Sequence, residues 1–215
     1  MIKLSKTSKL DGIMSWSLQA LETCQGSVGT DGALVDACKG CYATDGHYLM
    51  ANVKAPRAFN KEDWQRPDWV FDMVAGLAKQ THFRWFDSGD VYHIGLAEKM
   101  LEVMTATPHV KHWMPTRMYK FAKYADVFAR MQSLPNVVVR YSSDSVAGGT
   151  VDGATTSTIV SDEAQMPANA TLCRSYEHGG KCNGCRACYS KDVPVIAYKT
   201  HGRKMAKVIR LTTVH

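Results

Sequence analysis

The chain is 215 residues long, 45% hydrophobic and 21% charged, with a formal net charge of +6 and seven cysteines. That length suits one compact domain with a core large enough to stand without covalent staples, which leaves the cysteines free for other chemistry. The first ten residues intersperse charges too closely for a signal peptide's apolar core, and no stretch reaches the length of a membrane span; a reducing cytoplasm follows, and disulfides are disfavoured.

In chain order, residues 1–23 mix polar and apolar positions, with Trp16 and Leu18 marking a short extended piece before Cys24. The Gly-rich loop 25–37 must fold back if Cys24 is to meet Cys38 and Cys41. The segment after Cys41 reads as a short helix or turn, whose free backbone amides favour a thiolate. His47 lies close enough to join it, although a surface position is the commoner outcome. Pro67 and the spacing of Val70, Met73, Val74 and Leu77 predict a helix from about residue 66.

A strand is expected over 82–86, ending in Asp87-Ser88-Gly89-Asp90. Ala97, Met100, Leu101 and Met104 repeat the helical spacing, and a strand over 110–114 leads to Thr116-Arg117. Phe121, Tyr124, Ala125 and Phe128 mark a third helix, and a strand over 136–141 ends in Ser142-Ser143-Asp144. Strands separated by single helices form a βα repeat with parallel pairing. Beyond Asp144 the rhythm fails, and 155–160, 170–173 and 193–198 read as strands with short connections. The expected class is α/β, an incomplete (β/α) barrel or an open parallel sheet. A single domain would comprise an N-terminal cysteine loop region (1–60), a βα core (61–165) and a C-terminal cysteine-rich segment with a basic tail (166–215).

Sites in parallel α/β folds form beyond the C-terminal ends of the strands. Those ends carry Asp87, Ser88, Asp90, Arg117, Ser143, Asp144, Asp162, Cys173 and Arg174. The aspartates suit general acid or base roles, Ser88 or Ser143 a weaker nucleophile, and Arg117 and Arg174 bidentate contacts to an anionic substrate. Each also has a structural reading, because Asp, Ser and Gly favour turns and caps. Their recurrence at successive strand ends favours a site.

The cysteines fall into two clusters: Cys24 with Cys38-x2-Cys41, and Cys173 with Cys182-x2-Cys185-x2-Cys188. Soft thiolates at short spacing suit an iron–sulfur cluster or zinc, and the triple spacing favours iron–sulfur. Buried free thiols are the plainer alternative, strongest for isolated Cys24. Each cluster holds its own centre, or cysteines from both ends converge on one; the spacing leaves both open.

The motifs Ser17-Leu-Gln-Ala-Leu-Glu-Thr-Cys24, Cys38-Lys-Gly-Cys41-Tyr-Ala and Phe83-Arg-Trp-Phe-Asp-Ser-Gly-Asp90, together with the closing cysteine run, resemble the small iron–sulfur proteins of tailed phages, the family typified by the product of gene eighty-eight of mycobacteriophages. That family is itself similar to radical S-adenosylmethionine enzymes. The resemblance implies a partial (β/α) barrel, a [4Fe-4S] cluster on cysteines and a host-cell cytoplasmic setting. The chain departs from the superfamily's Cys-x3-Cys-x2-Cys loop, with thirteen residues between Cys24 and Cys38, and no Gly-Gly-Glu-like segment supports S-adenosylmethionine.

The leading expectation is an iron–sulfur enzyme whose open iron acts as a Lewis acid in hydrolytic or lyase chemistry on a small molecule. Reductive S-adenosylmethionine chemistry is one alternative. A metal-stabilised binding protein is the other, gripping nucleic acid or a host protein through the basic tail, where Lys199, Arg203, Lys204, Lys207 and Arg210 are followed by no acid. On charge alone that tail reads as a solvated basic edge.

Overall fold

The structure is a computed structural model that describes residues 2–212, with side chains as far as Arg210. Its centre is an eight-stranded sheet. Strands β1 (Ser5–Thr7) and β2 (Ile13–Trp16) form an antiparallel hairpin. Strands β3 (His82–Trp85), β4 (Lys111–Thr116), β5 (Val137–Ser142), β6 (Thr156–Val160), β7 (Ala170–Cys173) and β8 (Val195–Lys199) follow, and every pairing after the hairpin is parallel. The order is β1-β2-β3-β4-β5-β6-β8-β7, so β8 inserts between β6 and β7, and β1 and β7 form the edges. This is the expected α/β fold.

The helices are α1 (Asp36–Lys39), α2 (Ala51–Asp63), α3 (Trp69–Leu77), α4 (Ile94–Ala106), α5 (Ala125–Ser133) and α6 (Arg203–Thr212). Helices α3 to α5 are the three that the apolar spacing predicts. The third begins later than expected, at Ala125, because residues 118–124 form two short 3-10 turns. Neither α2 nor α6 is foreshadowed by the sequence reading. Among the described residues no helix is long and apolar enough to cross a membrane.

Side-chain alternation gives the sheet two unlike faces. Trp16, Phe83, Trp85, Met114, Val137 and Val139 point into the main core, where Trp69, Met73 and Leu77 of α3, Met100 and Met104 of α4 and Phe128 of α5 cover them. Burying each such side chain contributes about 1.5–3 kcal/mol, so this face carries most of the fold's stability. The other face lacks that helical cover. Ser15, Arg84 and Ser142 stand there beside Trp113, which packs in a smaller apolar cluster with Leu10 and Tyr189.

Candidate functional site

A cavity of about 860 Å³ opens on the second face, and six of the seven cysteines line it: Cys24, Cys38, Cys41, Cys173, Cys182 and Cys188. Cys185 is exposed and lies outside the lining, and all seven thiols are free of disulfides. The two sequence clusters therefore reach one cavity while remaining distinct groups. Burial pushes the Cys24 thiol up to about 12, helped by Asp90 and by the neighbouring Cys38 and Cys41. Burial likewise raises Cys182 to about 11, with Cys173 and Cys188 adding to it. Among the described residues, no group of three or more His, Cys, Asp or Glu side chains is arranged to hold a single metal ion.

Local folding explains how the first group assembles. Cys24 caps the start of a 3-10 turn over Gln25–Ser27, its carbonyl accepting from the Ser27 hydroxyl at 2.6 Å, and the loop returns so that the Ala37 amide donates to the Asp144 carbonyl at 3.0 Å. The Cys38-x2-Cys41 turn then lies against α6. A side chain at Gly40 would place its Cβ 2.9 Å from the Met205 backbone, so only glycine permits that approach. Met205 and Val208 of α6 pack with Ala37 and Val146. The basic tail is thus partly a clamp on the cysteine turn, with Lys204 reaching Asp45 at 3.3 Å.

The strand-end residues divide by environment. Asp87 lies at the cavity, where its carboxylate accepts from Tyr48 Oη at 2.6 Å, Arg84 Nη1 at 3.1 Å and Arg57 Nη2 at 3.4 Å. The preceding Phe86 is left-handed (φ 56°), which turns the chain back so that Asp87 meets Arg84 of the same strand end. Ser88 accepts from Arg57 Nε at 2.5 Å and donates to the Leu18 carbonyl at 2.7 Å.

Asp90 is buried. It accepts from Thr116 Oγ1 at 2.7 Å and from the backbone amides of Val91 and Arg117, each at 2.8 Å. Burial raises its pKa, and the hydrogen bonds only partly oppose this. Arg117 also lines the cavity, its guanidinium donating to the Ser143 carbonyl at 2.7 Å and to Asp144 at 3.3 Å.

Four expected residues stand apart from the cavity lining. Ser143 accepts from the Ser145 amide at 3.1 Å within a local turn. Asp144 pairs with Arg117 and with Lys120, the latter at 2.5 Å. Arg174 is exposed and pairs with Glu177 at 2.7 Å. Asp162 caps a 3-10 turn in a capping box with Gln165.

Four buried polar residues lie outside the sequence expectation: Arg57 and Arg84 line the cavity, and Asn60 and Arg140 hold backbone behind it. Arg57 and Asn60 come from α2; Asn60 donates to the carbonyls of Lys3 and Ser17, fastening the helix beside the site. On the strands, Arg84 stacks 4.6 Å over the Trp113 ring. Arg140 is fully buried and donates to the carbonyls of Thr156, Ser190 and Val193, each at 3.1 Å. The signal for Arg84 and Arg140 is a charged residue inside an otherwise apolar strand, at the alternation that faces away from the helices.

The family model for gene product 88 matches residues 1–210, a span that contains every strand of the sheet and all seven cysteines. No curated protein and no solved structure matches. On the strength of that match over nearly its whole length, the chain belongs to the gene product 88 family.

Proposed function

We propose that this chain is an iron–sulfur enzyme in which Cys24, Cys38 and Cys41 bind a [4Fe-4S] cluster beside a substrate cavity. The observation that carries the reading is the gathering of three unpaired thiols, from two separated segments, on one large cavity. The donor set fits: a single ion draws its ligands onto one atom, whereas a cluster spreads thiolates over several irons. Burial and mutual repulsion oppose the thiolate forms of Cys24 and Cys38, and the positive charge of the irons would offset that cost on binding.

When bound through three cysteines, such a cluster supplies an open iron with Lewis-acid character. The chain's own residues then divide the remaining work. Asp90, beside Cys24 and inclined to hold a proton, is the general acid or base. Arg117 orients an anionic substrate from the cavity wall, backed by Ser143 and Asp144. Asp87 and Ser88, each held by Arg57, fix the turn that presents Asp90. This arrangement supports a reading of hydrolytic or lyase chemistry. Cys173, Cys182 and Cys188 form a second soft-donor group suited to zinc or another cluster.

The test is metal and acid-labile sulfide content of anaerobically purified protein, compared with Cys24→Ser. Iron with matching sulfide, reduced in the variant, supports the reading. Zinc without sulfide sinks it.

A further inference from the structure

The first cysteine group is assembled from two separated segments with little secondary structure of their own. Cys24 precedes a single 3-10 turn (Gln25–Ser27), and Cys38 lies in the four-residue α1. Elements this short draw little stability from their internal hydrogen bonds, so what they dock against decides where the thiols stand. Both dock on the loops that follow β4 and β5.

The segment after Cys24 lies against residues 117–120. Gly26 and Ser27 are buried, and a Cβ on Gly26 would overlap the Arg117 carbonyl, so the two backbones touch there. Lys120 then reaches across: its ammonium donates to the Gly26 carbonyl at 2.8 Å and to the Asp144 carboxylate. The segment before Cys38 is fastened to the same aspartate, whose backbone carbonyl accepts from the Ala37 amide at 3.0 Å. One lysine thus ties the turn after Cys24 to the residue that anchors Cys38. Arg117 also pairs with Asp144, so the carboxylate has a cationic partner without Lys120. What Lys120 adds is the bridge to Gly26.

We infer that Lys120 is a positioning residue for the first cysteine group, holding Cys24 at the spacing from Cys38 and Cys41 that a cluster requires. The inference rests on the cluster reading proposed above. Lys120 acts through the backbone behind the ligands, and the loss of such outer partners typically weakens metal binding about 10–100-fold.

The experiment compares wild type, Lys120→Met and Lys120→Arg, each stripped of metal and then titrated anaerobically with ferrous iron and sulfide. Iron per chain is measured, and peptide-resolved alkylation reports which thiols become protected. Hydrogen exchange over residues 24–28 is followed in the metal-free proteins. In wild type, Cys24, Cys38 and Cys41 should become protected together. In Lys120→Met, exchange over 24–28 should accelerate and protection of these three thiols should need about tenfold more iron, while Cys173, Cys182 and Cys188 behave as in wild type. Lys120→Arg, which can still donate to a carbonyl and a carboxylate, should recover the wild-type behaviour. Wild-type exchange and protection in Lys120→Met overturn the inference and leave the cluster reading intact. Equal loss of protection in both cysteine groups also overturns it, because that marks a general structural role. If Cys24, Cys38 and Cys41 of wild type stay reactive throughout, the cluster reading fails and the inference falls with it.

Discussion

His112 sits on β4, fully buried on the helix-covered face and stacked on Trp85 with ring planes 24° apart. The Thr107 hydroxyl donates to the Val103 carbonyl at 2.7 Å, so His112 Nε2 is the donor in its 2.9 Å contact with Thr107 Oγ1. Nδ1 accepts from Trp85 Nε1 at 3.3 Å. A second proton has to go on Nδ1, where it would face another N–H, and burial opposes it further. The pKa accordingly falls to about 3.

An unfolded histidine titrates near 6.5. Because the folded value is depressed, this contribution is complete above about pH 6.5 and is lost as pH falls toward the folded value. At pH 5.0 the unfolded state gains about 2 kcal/mol from protonation that the folded state cannot match. The assay is urea denaturation of wild type and His112→Gln at pH 7.5, 6.0 and 5.0. Glutamine costs packing at every pH but carries no proton, so the gap between the two proteins narrows by about 2 kcal/mol between pH 7.5 and 5.0. Parallel pH dependences would refute the reasoning.

Gly89 has φ +77°, and a Cβ there would lie 2.6 Å from Leu18 Cβ and 2.7 Å from Thr23 Oγ1; Gly89→Ala should destabilise by about 1–3 kcal/mol in urea melts. Gly40→Val pushes against the Met205 backbone, so metal loading per chain should fall while far-ultraviolet circular dichroism keeps its wild-type shape. Asp87→Asn leaves Arg57 and Arg84 without the carboxylate they share, and a loss of about 3 kcal/mol is expected in the same melts; unchanged stability would show that the two guanidinium groups are satisfied without it.

The βα repeat is legible because its helices and strands bury apolar faces at periods of 3.6 and 2. Helix α2 hides for the opposite reason. Its buried positions are Arg57, Asn60 and Asp63, polar residues that reach the site, the N-terminal backbone and Arg66 respectively rather than an apolar core, and Pro56 lies inside it. Helix α6 does carry a signal in the spacing of Met205 and Val208, but the basic residues around them suggest a solvated tail. The Cys-x2-Cys-x2-Cys run shows where spacing stops being informative. Cys182 and Cys188 line the cavity, while Cys185 between them is exposed. Arg84 and Arg140 stand out as charges inside apolar strands, but alternation alone does not say which face the helices cover, so the side of the sheet that carries the cavity is not legible.

Whether Cys24, Cys38 and Cys41 ligate a cluster is read from iron and acid-labile sulfide per chain together with ultraviolet-visible and electron paramagnetic resonance spectra. The measurement is made on anaerobically purified wild type and on the three single serine variants. The expected result is iron and sulfide in equal amounts, broad absorbance in the violet, and loss of both in each variant. Zinc without sulfide, or metal-free protein whose thiols all react freely with a thiol reagent, would contradict it.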